Sequence, residues 1–285
     1  MKSFLRRHAV AVLRSALRCG GERWHRIVTE ALSPGDEHLY QVIERVPTSR
    51  GDVTFYCLGD TARWRALSLL TKEPETIEWI DSFSDGDTFW DVGANVGVYS
   101  LYAAINRRIR VLAFEPSAAN YFLLNRNIEL NKLDGIVQGL CVAFSDDDRI
   151  DALNMLSTGL GGALSSFGEP IDPFGKTFSA RFRQGAIGFS IDAFIDHFRP
   201  TFPNHLKIDV DGIEDRIIAG AQRTLADGRL KSLSIELDSG RVEYTNSVVA
   251  RVERAGLLLM ARRHSDMIES GEYKSIFNYQ FRRNE

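Results

Sequence analysis

The chain is poor in cysteine, in proline and in uninterrupted apolar sequence, and each shortage removes a class of protein. Only three cysteines occur in 285 residues, Cys19, Cys57 and Cys141, none of them in a Cys-x-x-Cys pair or a Cys/His cluster. A disulfide framework and a structural zinc centre are excluded on that count. The odd number and the apolar neighbours in Leu140-Cys141-Val142 suit buried free thiols and a reducing, cytoplasmic setting. Proline is scarce, 8 against 23 glycines, and 44% hydrophobic with 26% charged residues is the composition of an ordinary folded protein rather than a collagen-like or disordered one. No apolar run approaches the ~20 residues of a membrane-spanning helix. A strong positive excess is missing too, and a formal net charge of -3 argues against a dedicated nucleic-acid binder.

The charge that is present is unevenly spread. Residues 1 to 30 carry seven basic and two acidic side chains, a net of +5, which leaves -8 for the rest of the chain. Leu5, Ala9, Val12, Leu13, Ala16 and Leu17 fall on one arc of a helical wheel, with Arg6, Arg7, Arg14 and Arg18 across from it. Arg14 interrupts what would otherwise pass for a signal-peptide apolar region, so neither export nor a spanning helix is expected. Such a basic amphipathic helix either packs on the body or a partner subunit, or makes peripheral contact with an anionic membrane near a lipid-linked substrate. The turn Ser33-Pro34-Gly35-Asp36 closes this helical region and VTFYCL, from Val53 to Leu58, has the pattern of a strand. Residues 1–71 are thus expected to form a helical and strand appendage to a domain over residues 72–285.

Glu73-Pro74-Glu75-Thr76 opens a helix with acidic residues in its first turn. From Asp87 onward short apolar runs alternate with helical periods: TFWDV and a helix over 97–105, RVLAFE and a helix over 118–131, IVQGLCVAF, HLKIDV and a helix over 213–226, then SLSIEL. This alternation predicts a mostly parallel, doubly wound α/β sheet, covered on both faces. Residues 154–188 break the pattern with seven glycines and no helical period, and predict a long loop or irregular hairpins covering an active site. LLLMA and YKSIFNYQF predict a closing hairpin that puts an antiparallel strand at the C-terminal edge.

The sharpest chemical signal is Asp91-Val92-Gly93-Ala94-Asn95-Val96-Gly97, between a strand and a helix. Glycines there let a ligand approach the backbone at the carboxyl end of the sheet. A dinucleotide fingerprint would need glycine at Asn95 and Val98, so a nicotinamide-dependent oxidoreductase is the weaker reading. The spacing Asp-x-Gly-x-Asn-x-Gly instead resembles the first loop of class I S-adenosylmethionine methyltransferases. Glu115 ends the next strand, where a carboxylate can accept both ribose hydroxyl protons.

Residues from about Lys72 to the C-terminus resemble the FkbM family of S-adenosylmethionine-dependent methyltransferases, through KEPET, WID, DVGANVGVYS, AFEPSAANYFLLNRNIELN, VAFSDD and LKIDVDGIEDRIIAGAQRTL. Asp211 stands where the family usually has Glu, and Phe144 where it has Leu. The resemblance implies a class I, Rossmann-like methyltransferase fold with S-adenosylmethionine as cofactor. It also implies that Asp91, Gly93, Asn95 and Gly97 line the methionine end and Glu115 holds the ribose. Ala143 and Phe144 would border the adenine, with Asp146 as a polar contact; ordinary core packing is the competing reading of Phe144.

Lys207-Ile208-Asp209-Val210-Asp211-Gly212 closes the fourth strand, and alternation puts Lys207, Asp209 and Asp211 on one face. Methyl transfer to a hydroxyl needs a positioned nucleophile and a base. Asp209 is the first candidate, within a charge network with Lys207, and Glu236 the second. Asp211 and Glu214 are equally placed to cap the following helix, and His197 and His205 are further base candidates. Magnesium could sit on Asp209 and Asp211, but without a third ligand no metal is expected. The expected activity is O-methylation of a sugar, glycolipid or secondary metabolite. A non-catalytic cofactor-binding scaffold competes with it, and nucleic acid is disfavoured as a partner by the acidic body.

Overall fold

The computed structural model describes residues 42–264 and 270–284, so the amphipathic N-terminal segment, Cys19 and the turn at 33–36 lie outside the described residues. A compact unit begins at Ile43. It opens with an antiparallel hairpin, β1 (Ile43–Thr48) and β2 (Gly51–Tyr56), followed by α1 (Asp60–Leu67) and α2 (Pro74–Asp81). Val53, Phe55, Ala62 and Leu69 from this stretch are buried in the same core as Ile80, Phe89, Leu101 and Leu123. The position near residue 72 therefore falls inside a continuous core.

The centre is a seven-stranded sheet. β3 (Thr88–Val92), α3 (Val98–Arg107), β4 (Arg110–Phe114), α4 (Ala118–Leu130) and β5 (Val137–Leu140) build one half. β10 (His205–Ile208), α6 (Glu214–Ala219), α7 (Gln222–Ala226), β11 (Ser232–Asp238), α8 (Val242–Arg254), β12 (Leu257–Arg263) and β13 (Ile276–Arg283) build the other. The strand order is β12-β13-β11-β10-β3-β4-β5. β3 pairs in parallel with both β4 and β10, so the order reverses between β3 and β10, and the crevice at that switch point is where open α/β sheets bind ligands. All five residues of β3 are buried, as expected of a strand covered on both faces. Phe89 faces the core under α2 and α3, while Trp90 and Val92 face the core formed by Leu206, Ile235 and Val248.

Three details depart from the sequence reading. The antiparallel strand is β13, but it lies one position in from the edge, between β11 and β12. Its Ile276, Tyr279 and Phe281 are buried, whereas Leu258, Leu259 and Met260 of β12 are exposed, so the edge falls to β12. The run IVQGLCVAF is cut after Leu140: β5 stays in the main sheet, and β6 (Ala143–Ser145) joins a second sheet of order β6-β9-β7-β8, with β7 (Arg149–Met155), β8 (Ser165–Phe167) and β9 (Phe182–Ser190), which leads into α5 (Ile191–Phe198). The glycine-rich insertion is therefore largely hairpin, its β7–β9 ladder running from Arg149↔Gly188 to Met155↔Phe182. The helix expected over 213–226 is broken at Gly220, whose carbonyl accepts from the Asp192 amide (3.0 Å). The Asp192 carboxylate then takes the amides of Arg223 (2.8 Å) and Thr224 (2.9 Å), which starts a second helix.

One further placement differs. Cys57 is buried as expected, but Cys141 is exposed, because the chain turns there between the two sheets. The hairpin is tied to the body by side chains on α4: Asn127 Oδ1 accepts from the Tyr56 amide (2.7 Å) and Asn131 Oδ1 from the Thr54 amide (2.9 Å).

Candidate active site

The site forms where β3 and β10 separate. Asp91 and Lys207 are register partners, and Lys207 is in turn the partner of Ser234 on β11, so these polar side chains share one face of the sheet. Gly93 has φ +86°, and a Cβ there would stand 1.9 Å from the Asp209 carbonyl oxygen. Only glycine lets the loop lie flat against the end of β10. Gly97, at φ +88°, precedes α3 and packs so closely on Leu124 that a Cβ would come within 2.6 Å of Cδ1.

Between these glycines Asn95 takes a left-handed conformation, φ +51°. Its amide donates to Glu115 Oε2 (2.8 Å) and its Nδ2 donates to the Gly162 carbonyl (2.8 Å). Its Oδ1 is buried without a partner. Glu115 Oε1 accepts from the Ser117 amide (2.8 Å). Burial pushes the Glu115 carboxyl up to about 7, against the pull of those two amides. Asp91 accepts from Ser100 Oγ (2.6 Å), and burial raises its carboxyl while Lys207 opposes the shift.

The loop borders a cavity whose walls include Arg65, Lys72, Asp91, Asn95, Tyr99 and Asp209. Lys207 is 1% exposed, its Nζ donates to Asp209 Oδ2 (2.5 Å), and it lies 5.0 Å from the Tyr99 ring centroid. Burial alone would lower this lysine, but Asp209, Glu73 and Asp91 hold it well above its ordinary value. Glu73 accepts from Lys72 Nζ (2.5 Å) and Thr76 Oγ1 (3.1 Å). Although burial pushes Glu73 up, Lys72 and Lys207 keep its carboxyl below the usual range. Glu236, on β11, is pushed well above the carboxylate range by burial and by Asp209, with Lys72 opposing. One oxygen each from Glu73, Asp209 and Glu236 lie within 4.8 Å of one another.

Asp91, Gly93, Asn95, Gly97, Glu115, Lys207, Asp209 and Glu236 therefore gather at one end of the sheet. Ala143 and Phe144 do not face the cavity. Ala143 packs with Leu153 and Phe167. The Phe144 ring sits in the core against Phe114 (4.8 Å) and Phe194 (5.5 Å). Asp146 instead takes Ser145 Oγ (2.9 Å) and an ion pair with Arg149 (3.4 Å). Asp211 caps no helix: it accepts from the Ser165 amide (2.9 Å), anchoring the insertion, and burial pushes it up to about 6. Glu214 accepts from the Gly212 amide (3.0 Å) and the Tyr244 hydroxyl (2.5 Å), and burial pushes it up to about 7. His205 lies at the opposite end of β10, and His197 pairs with Asp148 on the surface (3.4 Å).

Four residues that matter here were not foreseen. Lys72 and Glu73 belong to a segment that reads only as a helix start, and Tyr99 to a helix face that reads as core. Asn120, one turn into α4, takes the Gly161 amide on Oδ1 (2.9 Å) and donates to the Gly162 carbonyl (3.0 Å). With Asn95 and Asp211 it holds residues 161–165 over the glycine loop.

The strand order, the glycine-bent loop and the carboxylate ending the adjacent strand define the class I methyltransferase fold. A family model described as the methyltransferase FkbM domain matches residues 91–257, more than half of the sequence, and the chain belongs to that family. No curated protein matches the chain. Among solved structures it is similar to precorrin-6y C5,15-methyltransferase from Geobacter metallireducens GS-15, with 14% identity, 78% of this chain and 89% of that chain covered, and a TM-score of 0.42. It is also similar to the METTL16 MTase domain, with 13% identity, 85% and 87% coverage, and a TM-score of 0.47. A third is TrmK of M. capricolum in complex with S-adenosyl-homocysteine, with 10% identity, 74% and 68% coverage, and a TM-score of 0.41.

Proposed function

We propose that the chain transfers the methyl group of S-adenosylmethionine to a hydroxyl oxygen of a sugar, glycolipid or other small metabolite. The observation that carries the cofactor reading is the unpartnered, buried Asn95 Oδ1 beside Glu115. A bare amide oxygen suits an ammonium donor, and a carboxylate with lone pairs to spare suits the two hydroxyls of a ribose. When bound, the cofactor supplies a methyl on a sulfonium, and the sulfur keeps the C–S bonding pair as the methyl passes to oxygen. The protein's part is to bind, orient and take a proton. Asp91, Asn95 and Glu115 hold the cofactor; Lys207 holds Asp209; and Asp209, with Glu236 as second candidate, accepts the acceptor's hydroxyl proton as the new C–O bond forms. The net -8 of residues 31–285 supports a small or glycan acceptor over nucleic acid. Among the described residues no helix is long and apolar enough to cross a membrane.

The test is incubation of the full-length protein with methyl-labelled S-adenosylmethionine and a panel of glycosides and polyols, followed by analysis of the bond formed. Alkali-stable methyl ethers are the expected product. Cofactor binding without transfer to any pool would favour the scaffold reading, and tighter binding of NAD than of S-adenosylhomocysteine would revive the oxidoreductase.

A further inference from the structure

Carboxyl groups crowd the acceptor side. Glu73, Asp209 and Glu236 bring an oxygen each to within 4.8 Å of the others, from the loop before α2, the end of β10 and β11. Lys72 pairs with Glu73 and Lys207 with Asp209. No side-chain hydrogen bond or ion pair reaches the Glu236 carboxyl among the described residues, though Lys72 and Lys207 attract it at longer range. Asp91 adds a further buried carboxylate beside Lys207.

A second observation lies outside that trio. Glu75 is 1% exposed, and its Oε1 accepts from Asn278 Nδ2 (2.9 Å), while its Oε2 is buried without any partner. Asn278 is the register partner of Glu236, so Glu75 is held on the Glu236 side of the cluster with one oxygen bare. Ser234, two residues before Glu236 on the same sheet face, also has a buried Oγ with no partner. Five carboxyl groups therefore cluster with Lys72, Lys207 and, on the cavity wall, Arg65, and two buried oxygens lack donors. Bare buried acceptors are costly, so these oxygens are set to meet a donor or a cation that the protein itself does not supply.

We infer that Glu73, Asp209 and Glu236 form a binding site for a divalent cation, with Glu75 behind it. Carboxylate oxygens converging from three segments, beside the cavity that Asp209 borders, are the donor set of magnesium or manganese. The sequence pairs Asp209 with Asp211 and offers no third ligand; in the fold Asp211 is turned to the Ser165 amide, and Glu73 and Glu236 stand beside Asp209 instead. The cation's role in orienting an acceptor hydroxyl rests on the transfer reading above, but the site does not.

Manganese is the probe. EDTA-stripped, full-length protein is titrated with MnCl2 and free ion is read by electron paramagnetic resonance, with and without S-adenosylhomocysteine. One saturable site that magnesium competes for is expected, weakened about tenfold or more in Glu236→Gln and less in Glu75→Gln. Absence of saturable binding in the wild type, or unchanged affinity in a folded Glu236→Gln, overturns the site. Should Glu236→Gln fail to fold, the wild-type titration alone decides. Failure of S-adenosylhomocysteine to bind in a parallel titration would strike the cofactor reading and leave the manganese result standing.

Discussion

The same face of the same three strands carries two buried polar clusters, one at each end, and they are built on opposite principles. At the amino end, His205 Nδ1 meets Ser232 Oγ (2.7 Å) and Nε2 meets Asp87 Oδ2 (2.9 Å). Lys231 donates to Asp87 Oδ1 (2.6 Å), Trp79 Nε1 donates to Ser232 Oγ (3.0 Å), and Phe83 stacks on the imidazole at 3.6 Å. Each of these polar side chains has a partner. At the carboxyl end, Asn95 Oδ1, Glu75 Oε2 and Ser234 Oγ have none, and carboxylates outnumber lysines. A Ser-His-Asp set would ordinarily suggest catalysis, yet here it is closed and saturated. Unspent hydrogen-bonding capacity, rather than residue type, separates a cluster that holds the fold from one that awaits ligands.

The comparison breaks if the two ends respond alike to mutation. Asp209→Asn, whose Oδ1 can still accept from Lys207, should lower kcat by roughly 10²–10⁴-fold, a larger effect than its loss of the buried ion pair has on thermal stability, measured by methyl transfer and calorimetry. His205→Leu should do the reverse. It takes one partner each from Asp87 and Ser232 and removes the stacked ring, costing about 2–4 kcal/mol of stability, while S-adenosylhomocysteine affinity stays within about twofold. Loss of activity without loss of stability in His205→Leu would reverse the assignment.

Acid sharpens the contrast. Burial lowers His205 from an ordinary 6.5 to about 4, outweighing the pull of Asp87. The folded state thus keeps the imidazole neutral where the unfolded chain would protonate it. That contribution is fully present above pH 6.5 and is lost as pH falls from 6.5 to 4, amounting to roughly 3 kcal/mol. Denaturant titrations across that window should show the decline, and it should flatten in His205→Leu. The smallest effect concerns Cys141, which is exposed and whose thiol is raised by burial of part of the group and by nearby Glu115. S-Adenosylhomocysteine should slow its alkylation a few-fold, read by mass spectrometry; an unchanged rate would place the ligand away from Glu115.

Much of the carboxyl end was legible in the sequence because loop chemistry is local. Gly93, Asn95 and Gly97 are fixed by backbone conformations that few other residues adopt, and Glu115 by the end of a strand. The partners that complete the charge network were not legible. Glutamates at the start of a helix ordinarily face water, so Glu73 and Glu75 carry no mark of burial until Lys72 and Thr76 close on Glu73 and β13 brings Asn278 against Glu75. The second sheet was hidden for a related reason: β9 contains glycine and alternates exposed with half-buried positions, and its pairing with β7 is non-local. Phe144 shows the converse. Its position after a strand suggests adenine, but three neighbouring aromatic rings claim it for the core.

The central claim is that ligand binding belongs to the end with unpaired groups, through Asn95 and Glu115. Calorimetric titration of S-adenosylhomocysteine into the wild type, Glu115→Ala and His205→Leu tests it in one experiment. Saturable binding that weakens at least about tenfold in Glu115→Ala and is kept in His205→Leu is the predicted result. Equal affinity in wild type and Glu115→Ala, or no binding to any of the three, would contradict it.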